Sequence, residues 1–160
     1  MQIRTATRSD ADAVWDLLQP VFRAGDTYAV DLDISKDAAL SYWMDQPAAC
    51  YVAVDAGQII GTYYIKTNQQ GGGAHVCNCG YVVGVQGRGV ATAMCAASQT
   101  QARALGYRAM QFNFVLTSNA GAIRLWHNLG FDTVGTVPNA FDHPALGMVD
   151  AQVMYKWLAD

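Results

Sequence analysis

Hydrophobic and polar residues recur along this chain with two periods, and each change of period predicts a boundary between secondary-structure elements. Alternation with a period of two predicts strands over 2–7, 50–55, 59–67, 74–85, 108–116 and 149–158. Apolar residues three and four positions apart predict helices after Ser9, over 33–45, from Val90 to Gly106, and over 119–129. The predicted order is β-α-α-β-β-β-α-β-α-β-β, in which the strand before the last one has no assigned range. This order is typical of an α/β domain with a mixed central sheet and helices on both faces.

Some details of these elements are specific enough to be checked. Ser9 is the predicted N-cap of the first helix, and Ala56 with Gly57 forms the predicted tight turn between the second and third strands. The third helix is predicted to end at Gly106. Its predicted buried face consists of Val90, Ala93, Met94, Ala97 and Ala104.

Composition and charge narrow the class of protein. The chain has 160 residues, of which 52% are hydrophobic and 14% charged, so we expect one folded domain over 1–160. Its formal net charge is −3 and its Lys and Arg residues are scattered, which argues against nucleic acid or an anionic membrane as the main partner. No apolar run approaches the roughly 20 residues of a membrane-spanning helix, and the N-terminus lacks a signal-peptide pattern. We therefore expect a cytoplasmic protein whose four cysteines are reduced.

His75, Cys77 and Cys79 alternate on one predicted strand and are the residues most similar to a metal-ligand set. On a straight strand, three ligands at this spacing spread over roughly 13 Å, too far to converge on one ion. We therefore expect a packed strand face and no metal.

The segment Gln86–Thr92 (QGRGVAT) lies between a predicted strand and a predicted helix. Its two glycines let the backbone approach a bulky anion, and the free N–H groups of the first helical turn point toward that anion. This chemistry suits a pyrophosphate. The segment lacks the Lys-Ser/Thr pair of a Walker loop and the third glycine of a dinucleotide-binding loop. Taken alone, it is explained equally well as a glycine turn that only joins a strand tightly to a helix.

A second motif follows the next predicted strand, where Asn119–Phe131 reads NAGAIRLWHNLGF. Together with Gln86–Ala91, it resembles the motif pair of the GNAT superfamily of acyl-CoA N-acyltransferases. The opening Ile3–Ala11 is also similar to the first strand and helix of that superfamily, so the resemblance covers nearly the whole chain. It implies a GNAT fold whose mixed sheet is splayed between its fourth and fifth strands. It also implies acetyl-CoA as the acyl donor, and a homodimer.

The same resemblance implies where acetyl-CoA binds. The pantetheine arm is expected in the splay, paired with the backbone of Tyr81, Val82 and Val83, and Asn119 is expected to contact the arm. The pyrophosphate is expected on the backbone amides of a segment that we call the cradle: Arg88, Gly89, Val90, Ala91 and Thr92.

A closer likeness, to the fungal azetidine-2-carboxylate (proline-analogue) N-acetyltransferases and their bacterial relatives, rests on residues 25–28 (GDTY), 75–78 (HVCN) and 112–115 (FNFV). In that group the two matched asparagines face the substrate, so the likeness implies catalytic and substrate-binding roles for Asn78 and Asn113. It also implies that Asp26 and Tyr28 bind substrate. Two alternatives stay open: the asparagines can be structural amides in the splay, and Asp26 and Tyr28 can cap a loop.

The groups that supply acid–base catalysis in other GNAT enzymes are missing from this sequence. Trp126 stands where many of them hold a tyrosine that protonates the CoA thiolate; an indole does not titrate usefully, and we predict that Trp126 is core. Every acidic residue is Asp, and none lies between Asp55 and Asp132. Catalysis is therefore expected to rest on positioning by amides and backbone N–H groups.

The function predicted from these motifs is transfer of an acetyl group from acetyl-CoA to the amine of a small molecule, an amino acid or an analogue of one. Two other functions stay open at this point. One is acetylation of a protein N-terminus or lysine, and the other is an acyl-CoA-binding sensor without turnover.

Overall fold

A computed structural model describes residues 1–159, and within them the elements follow the predicted order. The strands are β1 Gln2–Thr5, β2 Ala49–Asp55, β3 Gln58–Thr67, β4 Val76–Val83, β5 Ala109–Leu116, β6 Asp132–His143 and β7 Gly147–Trp157. The helices are α1 Ala11–Ala24, α2 Lys36–Leu40, α3 Val90–Ala104 and α4 Ala120–Asn128. None of the helices in this part of the chain is long and apolar enough to cross a membrane.

The strands form one mixed sheet in the order β1-β2-β3-β4-β5-β7-β6. Neighbouring strands are antiparallel except β4 and β5, which run parallel because α3 forms the crossover between them. β2 and β3 are joined by the predicted tight turn, in which Ala56 and Gly57 both have positive φ angles of 48° and 79°.

Helices cover both faces of the sheet, as the element order predicts. α1 packs against one face, around a core that contains Phe22 and Trp43. α3 packs against the other face, around a core that contains Met94 and Met110. Because successive side chains of a strand point to opposite faces, β2, β3 and β4 contribute to both cores. We call the two faces the α1 side and the α3 side.

β4 and β5 are paired only where they begin, and they diverge beyond that point. Their second and last pair is Cys77 with Met110. One residue further, the Asn78 Nδ2 group donates to the Gln111 carbonyl oxygen at 2.9 Å, so a side-chain amide takes a backbone acceptor of β5 where the ladder stops. The sheet is open between its fourth and fifth strands in chain order, which confirms the predicted splayed GNAT fold.

The start of the first helix differs from the prediction. Ser9 is not its N-cap, because a 3-10 turn, Arg8–Asp10, precedes α1. The Thr7 N–H instead donates to Asp10 Oδ2 at 2.7 Å, and the same carboxylate accepts from Arg4. Thr7, Ser9 and Asp10 are all residue types that cap helices, and the ion pair between Arg4 and Asp10 favours the observed start.

The second and third helices also depart from their predicted extents. α2 is shorter than 33–45 because Ser35 caps it and one π-helical turn, Ser41–Asp45, replaces its end. On α3, Ala104 is exposed, although the periodicity placed it on the buried face. The polar residues Ser98 and Gln99 are buried instead, where Gln99 accepts from the ammonium of Lys156 at 2.7 Å.

Candidate active site

A cavity opens where β4 and β5 separate, beneath the segment that follows α1. Its volume is about 280 Å³, which is enough for a small molecule. Five of the residues predicted from sequence to act in the site line this single cavity, although they come from four separate parts of the chain. These are Tyr28, Asn78, Tyr81, Asn113 and Asn119.

Asn78 lies at the apex of the cavity, where the two strands part. Its Nδ2 group is used to hold the Gln111 carbonyl, and its Oδ1 accepts from the Tyr64 hydroxyl at 3.2 Å. An amide oxygen has two lone pairs, so Oδ1 retains one acceptor position toward the cavity. Asn78 therefore does act as a structural amide in the splay, and its hydrogen bonds fix the orientation of the amide group that faces the cavity.

Asn113 lies on β5 where its pairing with β7 shifts register between Phe112 and Val115. The shift marks a bulge, and bulges commonly redirect side chains near functional sites. Asn113 Nδ2 donates to Asn68 Oδ1 at 2.7 Å, and Asn113 Oδ1 accepts from Gln111 Nε2 at 2.9 Å. The side chain is exposed to the cavity and held on both ends, and its oxygen keeps one free acceptor position.

Tyr28 reaches across to the open edge of β4. Its hydroxyl lies 2.8 Å from both the backbone nitrogen and the carbonyl oxygen of Tyr81, accepting from the first and donating to the second. Burial raises the pKa of Tyr28 well above its usual range, so the phenol stays protonated. Tyr28 thus serves as a neutral donor and acceptor on the strand edge that the sequence assigned to the pantetheine arm.

The backbone of β4 alternates in direction, which separates the three residues predicted to bind that arm. The Gly84 N–H donates to the Ile60 carbonyl of β3 at 2.9 Å, whereas the Tyr81 N–H points to the opening. By alternation, Val82 turns its backbone to β3, and Val83 turns its backbone to the opening. The backbone groups of Tyr81 and Val83 are therefore available to pair with the pantetheine arm, whereas those of Val82 are directed to β3.

The cradle lies at the start of α3, with Gly89 as the N-cap residue at a φ of 69° and Gly87 at 75°. A Cβ atom built at either glycine would meet no heavy atom within 4 Å, so the space above the turn is open. The first bond into the helix is from the Ala93 N–H to the Gly89 carbonyl, and no acidic residue lies in the first turn. The preceding amides are therefore free to meet an anion, as a helix N-terminus requires.

Arg88 is the one residue of the cradle with a cationic side chain, and that side chain is tied back. Its guanidinium forms an ion pair with Asp55, at the turn between β2 and β3, and Asp55 also binds the N-terminal ammonium at 3.1 Å. These contacts lower the pKa of Asp55. The contribution of Arg88 to anion binding is therefore expected from its backbone N–H, as the sequence implied.

Asn119 and Trp126 line the α3 side of the cavity on α4. Asn119 caps this helix, with its Oδ1 accepting from the Ala122 N–H at 3.1 Å, which leaves its NH₂ group for a ligand. Trp126 is 8% exposed and packs with Tyr81 and Phe112 at ring-centroid distances of 5.2 and 5.0 Å. The predicted core position of Trp126 is confirmed.

No charged side chain is among the residues that line the cavity in the described part of the chain. Asp26 is exposed and accepts only from the neighbouring Thr27 hydroxyl, so the structure does not bring it into the site. Burial raises the pKa of the Tyr64 hydroxyl and of the Cys79 thiol well above their usual ranges. Burial therefore favours the protonated form of both groups.

Comparison with known proteins identifies the class. The profile of the Acetyltransferase (GNAT) family matches residues 11–131, which include the cradle, both site asparagines and α4. The chain therefore belongs to the GNAT acetyltransferase family, and the class predicted from the two sequence motifs is confirmed.

Individual relatives agree with this placement. A GCN5-related N-acetyltransferase from Kribbella flavida is 39% identical, with a TM-score of 0.92 over 98% of this chain and 96% of that one. The N-acetyltransferase aca1 of Schizosaccharomyces pombe is 26% identical over 72% of this chain, and the match spans 64% of the fungal protein. A phosphinothricin acetyltransferase from Sinorhizobium meliloti, solved with acetyl-CoA, shares the fold at 19% identity, with a TM-score of 0.86 over 99% of this chain and 88% of that one.

Three polar residues of the site were not predicted from the sequence: Tyr64, Asn68 and Gln111. Each holds one of the site asparagines in place. Tyr64 and Lys66 share a face of β3, since strand residues two apart point the same way, and Asn68 directly follows the end of that strand. The available signal was the presence of alternating polar residues at the end of an otherwise apolar strand.

Proposed function

We propose that this protein transfers an acetyl group from acetyl-CoA to the amine of a small molecule, an amino acid or an analogue of one. The observation that carries the proposal is the convergence of Asn78 and Asn113 on one small cavity at the apex of the β4–β5 opening. The free helix N-terminus of the cradle lies beyond the other end of β4, so the opening leads from an anion site to this cavity.

Acetyl-CoA fits the residues that flank the opening. The pyrophosphate is assigned to the backbone amides of the cradle, where glycine at positive φ leaves room for it. The arm is assigned to the outward backbone of Val83 and Tyr81 and to the free NH₂ of Asn119. Since Tyr28 already occupies the Tyr81 backbone groups, the arm shares that position with the phenol or displaces it.

The chemistry assigned to the cavity follows from its neutral polar groups. A neutral primary amine donates its two N–H groups to the free acceptor positions of Asn78 Oδ1 and Asn113 Oδ1, whereas a secondary ring amine donates its single N–H to one of them. Either contact aims the nitrogen lone pair at the thioester carbon. The C–N bond forms, the C–S bond breaks, and CoA leaves as a thiolate whose pKa as a free thiol is about 8.5. The proton released from nitrogen passes to water or to the thiolate, since the lining offers no carboxylate to take it.

The small-molecule acceptor rests on the size and the neutrality of the cavity and on the likeness of residues 25–28, 75–78 and 112–115 to the azetidine-2-carboxylate enzymes. That subgroup stays a prediction, as do the homodimer and the cytoplasmic location. Asp26 is no longer proposed as a substrate ligand, because its side chain lies outside the cavity.

The test is release of CoA thiol from acetyl-CoA across a panel of amines, with the acetylated product identified by mass spectrometry. We expect turnover with small amino acids and secondary ring amines, and little with a peptide N-terminus or a peptide lysine. With no carboxylate in the cavity, kcat/KM should rise with pH toward the pKa of the acceptor amine, without a lower break from the enzyme. Turnover with peptides alone would assign a protein acceptor, and binding of acetyl-CoA without any thiol release would assign a sensor.

A further inference from the structure

Lys66 lies between two residues that hold the site asparagines. Tyr64 and Lys66 are two residues apart on β3, so their side chains share the α1 side of the sheet, and Asn68 is the first residue beyond that strand. The Tyr64 hydroxyl donates to Asn78 Oδ1 at 3.2 Å. Asn68 Oδ1 accepts from Asn113 Nδ2 at 2.7 Å. The side chain between these two neighbours therefore begins beside both asparagines.

The register of the sheet gives the same position independently. Lys66 is the partner of Asn78 across the β3–β4 pair. Directly opposed side chains of an antiparallel pair have Cβ atoms about 4.5–5.5 Å apart, within easy reach of a long side chain. The lysine ammonium can therefore reach the rim of the cavity at its apex, next to the amide that is proposed to hold the acceptor nitrogen.

Lys66 also differs from the other two lysines in its lack of a side-chain partner among the described residues. Lys36 forms an ion pair with Asp12, and Lys156 donates to Gln99 and to the Leu129 carbonyl. Within residues 1–159, Lys66 makes neither a salt bridge nor a side-chain hydrogen bond, although it is partly buried. An ammonium without a counter-charge favours an anionic ligand, because a charge-assisted bond to a carboxylate is stronger than one to a neutral acceptor.

We infer that Lys66 binds the carboxylate of an amino acid acceptor and so determines the class of substrate. This inference rests on the proposed function, since it concerns the acceptor of that reaction. An α-amino acid carries its amine and its carboxylate on one carbon atom. A carboxylate held by Lys66 thus places the amine beside Asn78, on the partner strand, where the acceptor nitrogen is assigned. None of the residues that line the cavity in the described part of the chain is a cation, so the role falls to Lys66, which is paired with the lining residue Asn78.

The experiment compares two matched acceptors, L-azetidine-2-carboxylate and L-azetidine-2-carboxamide, in the wild type and in Lys66→Met. We expect the variant to raise KM for the carboxylate by roughly tenfold to a hundredfold, the range for loss of one charge-assisted bond. Its KM for the carboxamide and its Kd for acetyl-CoA should stay within a few-fold of wild type. Lys66→Arg should restore most of the preference for the carboxylate. Lys36→Met, which removes the same charge from the surface, should leave both KM values unchanged.

Two results would overturn the inference while the proposed function stands. One is an equal change of KM for both acceptors in Lys66→Met, and the other is a wild type that prefers the carboxamide once the neutral fraction of each amine is taken into account. A wild type that binds acetyl-CoA and acetylates neither these acceptors nor any small amine of the panel would refute the proposed function itself, and the inference with it.

Discussion

Replacing Gly89 with Glu is expected to abolish acetyl-CoA binding, with Kd raised at least about a hundredfold by calorimetry. The substitution places a negative charge at the N-cap of α3, where the cradle amides are proposed to meet a pyrophosphate. It also adds a side chain to a residue at a φ of 69°, into space that is open in the structure. Charge repulsion and loss of the anion site therefore act in the same direction.

The matched control is Gly106→Glu, at the opposite end of α3. Gly106 also has a positive φ, 92°, and a Cβ atom there would also meet nothing within 4 Å. This variant also places a glutamate at a positive φ, and it should lose more thermal stability than Gly89→Glu, because a negative charge is unfavourable at a helix C-terminus. It should nevertheless keep acetyl-CoA affinity. A folded Gly89→Glu protein with wild-type affinity would show that the cradle does not hold the pyrophosphate.

Asn113→Ala is expected to lower kcat about a hundredfold and to change KM by only a few-fold. The amide oxygen is held by Gln111 and the amide nitrogen by Asn68, so its orientation is fixed before substrate arrives. A preorganised group contributes mainly as charge develops on the acceptor nitrogen, which is why the loss should appear in kcat. Steady-state kinetics with a reactive acceptor measure both constants.

Asn128→Ala provides the control for this variant, because Asn128 is an exposed asparagine at the end of α4 and does not line the cavity. Its kinetic constants should match the wild type. If Asn113→Ala raised KM alone, Asn113 would bind the acceptor equally in the ground and transition states, and the proposed catalytic role would fail.

The fold was accessible from the sequence because its signals are local. Period-two and helical patterns depend on near neighbours, and they located the four helices and every strand except β6, for which no range was predicted. The opening between β4 and β5 came from the resemblance, but its physical cause was already present at Asn78, a side-chain donor placed where a strand ladder would continue.

The features that the sequence did not reveal depend on contacts between distant residues. Nothing near Tyr28 indicates that its hydroxyl pairs with the Tyr81 backbone, 53 positions away. The position of Lys66 beside the asparagines depends on strand register, which the pattern of β3 alone does not define. Asp26 shows the converse, since the likeness of residues 25–28 to the related enzymes predicted a substrate contact and its side chain lies outside the cavity.

The most direct test of the central claim is an experimental structure of the protein with acetyl-CoA. The account predicts the pantetheine arm between β4 and β5, paired with the backbone of Val83, and the pyrophosphate on the amides of the cradle. It also predicts the acetyl group at the apex of the opening, beside Asn78 and Asn113. An arm bound outside the opening, or an acetyl group remote from both asparagines, would contradict it.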